Sequence, residues 1–114
     1  MAAPLVEIDR DELARLLAGD EPVVLVDALA PLSFAAAHLP GAVNMPPARV
    51  DDLADRRIPE RSTPVVVYCA GPDCDSSLDV ARRLLELGYL DVRHYAGGKS
   101  DWAAAGLPFE GARA

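Results

Sequence analysis

Short apolar runs rich in β-branched residues recur along this chain, each set against a segment with helical periodicity. That alternation limits the folds open to it. Val23-Val24-Leu25-Val26 ends at Asp27, and Val65-Val66-Val67-Tyr68 follows Pro64. A run without polar alternation reads as a strand buried on both faces, the habit of parallel sheets. Val92-Arg93-His94-Tyr95 is a third sheet strand, and residues 5–8 and 42–45 are shorter candidates. Between them lie helix signals. Asp9 with Glu12 has capping-box spacing, and Leu13, Leu16 and Leu17 form one apolar face before Gly19 stops the helix. Pro31 starts a short helix over residues 31–37, residues 48–55 form another, and residues 76–87 form the best helix in the chain. There Val80, Leu84 and Leu87 share a face that Ala81 and Leu85 widen, and Gly88 ends it. Trp102 sits on a last short helix that stops at Gly106. The expected fold is α/β, with a mainly parallel sheet and helices on both faces, in one domain over residues 4–110. The ends, residues 1–3 and 111–114, are expected to fray.

Composition excludes several partners. Hydrophobic residues make up 51% of the chain, enough for a core. No apolar run approaches the about 20 residues of a membrane span. The start Met1-Ala2-Ala3-Pro4-Leu5-Val6-Glu7 lacks the basic and apolar parts of a secretory signal, so the expected location is cytoplasmic. The net charge of -7 leaves no basic face for phosphates, so neither nucleic acid nor membrane is an expected partner. His38 and His94 lie far from zinc-finger spacing relative to Cys69 and Cys74, and no metal or cofactor is implied.

Chemistry concentrates between Val65 and Leu87, where a strand leads through a cysteine-bearing loop into a helix. In parallel α/β sheets, ligands bind beyond the carboxyl ends of the strands. Cys69 stands at that end, ahead of a helix N-terminus with unpaired N–H groups and a positive dipole. This arrangement suits a thiolate nucleophile; a buried core cysteine is the plainer alternative. Asp27, His38 and Trp102 read as structural: a turn cap, a turn-locking histidine and an anchor for the last helix. His94 reads as a surface or core residue of its strand. Ser76 and Ser77 read as helix caps that can also donate to a bound sulfur. Lys99 is a candidate lone positive charge beside the site.

These segments resemble the rhodanese-like family. Val26-Asp27, then Ser33-Phe34-Ala35-Ala36-Ala37-His38-Leu39-Pro40-Gly41-Ala42, is similar to its first signature. Val65-Val66-Val67-Tyr68-Cys69 is similar to its active-site strand and cysteine. Leu87-Gly88-Tyr89, Val92, Tyr95-Ala96-Gly97-Gly98, Trp102 and Ala104-Ala105-Gly106-Leu107-Pro108 are similar to its close. The resemblance implies a sheet of about five strands. It also implies a sulfurtransferase that carries sulfane sulfur as a persulfide on Cys69. The substrate-binding loop would then hold Ala70, Gly71, Asp73, Cys74, Asp75, Ser76 and Ser77. The implied partners are a small sulfane-sulfur donor or a persulfidated protein, and a thiol or cyanide-like acceptor.

The loop departs from the family's common form. It is longer, lacks Arg and Lys, and carries Asp73 and Asp75; Ala28 stands where the family usually has Arg. A carboxylate about 5 Å from a thiolate, at an effective dielectric near 20, opposes ionisation by roughly 3 kcal/mol before screening. Asp75 would be less harmful if its charge were spent as a helix cap. Weak thiosulfate activity is therefore expected. Cys74 opens further readings: a resolving thiol for Cys69, the exposed reactive thiol itself, or half of a dithiol redox pair. A non-catalytic module that binds a partner protein is another. An arsenate-reductase or phosphatase loop of the form Cys-x5-Arg is excluded, since residues 75 and 80 are Asp and Val.

Overall fold

The computed structural model describes residues 4–113. Residues 1–3 and 114, part of the ends expected to fray, lie outside it. Gly111, by contrast, leads into an anchored tail. The N–H groups of Ala112 and Arg113 donate to the carbonyls of Ala35 and Ala36 at 2.9 and 2.8 Å.

Among the described residues, five strands form one sheet: β1 (Val6–Glu7), β2 (Val24–Asp27), β3 (Val43–Asn44), β4 (Val65–Tyr68) and β5 (Val92–Tyr95). Their order is β1-β5-β4-β2-β3, and every pairing is parallel. The central strand β4 is buried along its whole length, as its uninterrupted apolar run requires. Its side chains alternate. Val65 and Val67 enter one core, with Val26, Val80, Ala81, Leu84 and Val92, while Val66 and Tyr68 enter the other, with Leu13, Leu25, Leu39 and Trp102. Each such fully buried aliphatic side chain contributes about 1.5–3 kcal/mol through area removed from water.

The helices are α1 (Arg10–Ala18), α2 (Pro31–Ala36), α3 (Val50–Arg57), α4 (Ser76–Glu86) and α5 (Gly98–Ala104). Helix α1 opens with the expected capping box: Asp9 accepts from the Glu12 N–H at 2.8 Å, and the Glu12 carboxylate from the Asp9 N–H at 3.5 Å. Leu13 of α1, Phe34 of α2 and Trp102 of α5 cover one face of the sheet. Helices α3 and α4 cover the other through Val50, Ala54, Val80 and Leu84. Helix α3 starts later than expected because Pro46 and Pro47 force a 3-10 turn over Pro47–Arg49. No helix among the described residues is long and apolar enough to cross a membrane.

Asp27 is buried and structural. It accepts the Leu29 N–H at 2.9 Å and the Tyr68 hydroxyl at 2.7 Å, and that hydroxyl accepts the Leu39 N–H at 3.0 Å. This network ties β2, β4 and the turn after His38 together at the carboxyl end of the sheet. His38 locks that turn through Nδ1, 2.7 Å from the Phe34 carbonyl, with its ring stacked on Phe34. Trp102 anchors α5 by donating to the Pro108 carbonyl at 2.8 Å and by edge contact with Tyr95.

Candidate active site

The loop from Cys69 to Asp75 joins β4 to α4 at the carboxyl end of the sheet, and a downstream segment clamps it. The Lys99 N–H donates to the Cys69 carbonyl at 3.0 Å, and the Ser100 N–H to the Ala70 carbonyl at 2.9 Å. The approach is close enough to demand glycine. Gly98 has φ +60°, and a Cβ there would collide with the Cys69 carbonyl oxygen and the Gly71 nitrogen. A Cβ on Gly71 would lie 2.6 Å from Ser100 Oγ. Gly98 thus serves the site loop, whereas a Cβ on Gly97 would meet Asp101. Within the loop, the Cys74 N–H donates to the Gly71 carbonyl at 3.1 Å, which turns Cys74 back toward Cys69.

The two thiols meet different surroundings. Cys69 is 1% exposed. Its Sγ lies 3.2 Å from the Cys74 carbonyl oxygen and 3.2 Å from Ser77 Oγ. Burial pushes its thiol above the ordinary value, the contact with Cys74 adds to this, and the Ser77 hydroxyl and N–H pull it back only in part. Cys74 is half-buried and lines an open cleft of about 400 Å3 with Ala70, Gly71, Pro72, Asp73 and Ser100. Burial raises its thiol too, but the Cys69 thiol, the N–H groups of Ala70 and Ser76 and the Ser76 hydroxyl outweigh it. The net direction is down. The amide cradle expected around Cys69 is therefore divided between the two sulfurs, and its open part surrounds Cys74.

Other expected residues fall as follows. Asp73 is exposed on the cleft. Asp75 takes the N-cap position of α4, but its side chain makes no cap hydrogen bond, so its charge is not spent there. Ser77 does not cap either: its hydroxyl turns inward to Cys69 and to His94 Nε2, 2.8 Å away. Lys99 does not reach the site, because its ammonium donates to the Ser33 carbonyl. Among the described residues, no Arg or Lys lines the cleft. No cluster of metal-ligating side chains occurs among the described residues. Two site residues escape the sequence reading. Ser100 lines the cleft, and His94 lies behind Cys69 with Nδ1 3.2 Å from Glu7 Oε1. The signal for His94 was available. Period-two alternation puts it on the face of Val92, beneath α4.

A model of the rhodanese-like domain matches residues 9–105. The chain belongs to the rhodanese-like family. It is 34% identical over 110 residues to the HTH-type transcriptional regulator Rv0324 of Mycobacterium tuberculosis, a match that covers 96% of this chain and 47% of that protein. The rhodanese-like chain thus spans about half the length of that relative. The crystal structure of thiosulfate sulfurtransferase from Pseudomonas aeruginosa is 31% identical, with a TM-score of 0.83 over 93% of this chain and 20% of that one. A rhodanese with anions from E. coli is 28% identical, with a TM-score of 0.66 over 79% of this chain and 99% of that one. The five-stranded parallel sheet and its two helical layers are the rhodanese-like fold.

Proposed function

We propose that this chain is a sulfurtransferase that carries sulfane sulfur as a cysteine persulfide in the loop 69–75, and that Cys74 is the thiol that meets the donor. One observation carries the reading: Cys74 opens on the cleft, and against its partial burial the Cys69 thiol first, then the N–H groups of Ala70 and Ser76, lower its thiol. This gives Cys74 the part that the strand-end position suggests for Cys69. The Cys74 thiolate attacks the outer sulfur of a donor persulfide, and the donor leaves as a thiolate. The same N–H groups hold the new persulfide as an anion, as amides aimed at developing charge do. An acceptor thiolate then takes the outer sulfur and restores Cys74. With Asp73 on the cleft and no cation there, a neutral or protein-borne persulfide suits the site better than a dianion. The chemistry also calls for a reducing compartment, the cytosol, in which both thiols stay free.

Mass spectrometry after incubation with a low-molecular-weight persulfide tests this. The expected product is an adduct of ~32 Da on the Cys74 peptide, lost in Cys74→Ser and retained in Cys69→Ser. An adduct confined to Cys69, or none, would overturn it. The likeness to a transcriptional regulator favours a second reading, a module that takes up sulfur once and signals its state. Acceptor persulfide formed over many cycles supports the enzyme, and a halt after one equivalent supports the module.

A further inference from the structure

Behind the loop, four side chains stand in file. Cys69 Sγ is 3.2 Å from Ser77 Oγ, Ser77 Oγ is 2.8 Å from His94 Nε2, and His94 Nδ1 is 3.2 Å from Glu7 Oε1. Ser77 and His94 are 1% and 5% exposed, whereas the Glu7 side chain is 64% exposed. The file therefore runs from a sulfur sealed in the core to solvent at the edge strand. Its polarity follows from the groups. A carboxylate only accepts, so His94 Nδ1 carries the proton that faces Glu7. In that tautomer Nε2 accepts from the Ser77 hydroxyl, whose oxygen lies within reach of the Cys69 S–H at 3.2 Å, as the Cys74 carbonyl oxygen also does. A hydroxyl and an imidazole on neighbouring core elements fill this space where two apolar side chains would pack without hydrogen bonds.

We propose that Ser77, His94 and Glu7 form a proton relay that makes Cys69 a resolving thiol for groups carried on Cys74. The inference rests on Cys74 as the carrier. The Cys69 sulfur attacks Cys74 Sγ of the persulfide, forming the Cys69–Cys74 disulfide as the Cys74–sulfur bond breaks. The outer sulfur leaves with both electrons of that bond and is reduced to sulfide; the cysteine pair is oxidised. The Cys69 proton passes through Ser77 to His94, which releases one through Glu7 to solvent, and the departing sulfide takes up one proton from water in the open cleft to leave as hydrosulfide. A thiol and a persulfide anion thus give a disulfide and hydrosulfide, with mass and charge balanced. An external dithiol reopens the disulfide by exchange. The relay lets the proton leave as the new bond forms, so no bare thiolate has to exist in the core.

A mixed disulfide isolates this step. An aromatic disulfide, dithiobis(nitrobenzoate), loads Cys74 and releases one equivalent of coloured thiolate. Attack by Cys69 then releases a second. His94→Gln and Ser77→Ala are expected to leave the first phase intact and slow the second by at least about tenfold, Ser77→Thr to restore it, and Cys69→Ser to abolish it. Ser77→Ala removes one oxygen only, so it serves where His94→Gln fails to fold. A second phase within about twofold of the parent in both variants overturns the relay while leaving the carrier reading intact. Equal slowing of both phases also overturns it, because a merely structural role predicts that. A first equivalent that survives in Cys74→Ser and disappears in Cys69→Ser overturns the carrier reading instead.

Discussion

At the scale of single residues, two thiols five positions apart in the chain ionise in opposite directions. Burial dominates at Cys69, whereas donated hydrogen bonds prevail over it at Cys74. Thiolate is the form that alkylates, so Cys74 labelling should reach half its maximal rate at a pH below the ordinary thiol value of about 8.5, and Cys69 labelling only above it. Alkylation across pH, with the labelled peptides separated, checks this; coincident profiles would contradict it. Stability follows the same signs. As pH rises through the depressed Cys74 value, the folded chain binds fewer protons than the unfolded one and gains stability. At higher pH the unfolded Cys69 ionises while the folded one resists, and stability falls. The cysteines were legible because a strand, a thiol and a helix start are local signals. The face of β5 that His94 occupies was legible too, but its partners were not, since they are a serine from another element and Glu7, its register partner across β1 and β5.

At the scale of elements, β4, the site loop and α4 form one unit, but the 97–100 segment gives the unit its shape. Gly98→Ala should cost at least about 1–2 kcal/mol for its left-handed backbone alone. Its Cβ would also push the Cys69 carbonyl away. The expected result is a lowered denaturant midpoint together with Cys74 alkylation slowed toward that of a free thiol. A destabilised protein with unchanged Cys74 reactivity would show that the clamp does not shape the cradle. The elements themselves were readable from β-branched runs, the α1 capping box and the glycine stops. The Gly97-Gly98 pair was readable only as a chain break, since the contact of Gly98 with loop 69–71 is long-range. For Asp75 only the position is legible: its N-cap place is local, but whether its carboxylate bonds there depends on the path of the loop.

At the scale of the whole molecule, the net charge of -7 and the acidic loop act on any charged donor together. Repulsion of a dianion weakens as salt shortens the Debye length from about 30 Å at 0.01 M to about 8 Å at 0.15 M. Thiosulfate-dependent transfer should therefore be slow and should rise with ionic strength. Asp73→Asn should raise it by up to about tenfold, the equivalent of about 1.4 kcal/mol of repulsion. Transfer from an uncharged persulfide should change little under either manipulation. Steady-state rates with both donors check this, and a thiosulfate rate that falls with added salt would contradict it. Fold class and the two-sided core were legible because strand and helix alternation fixes them almost without reference to detail. The balance of charge around one sulfur is not fixed that way.

The clamp from residues 97–100 also orders events during synthesis. A nascent chain that has emerged only as far as β4 and α4 already carries both cysteines, yet lacks Gly98, Lys99 and Ser100, which seat the loop. Reactivity at residue 74 therefore matures late, once residues 97–100 have left the ribosome and docked.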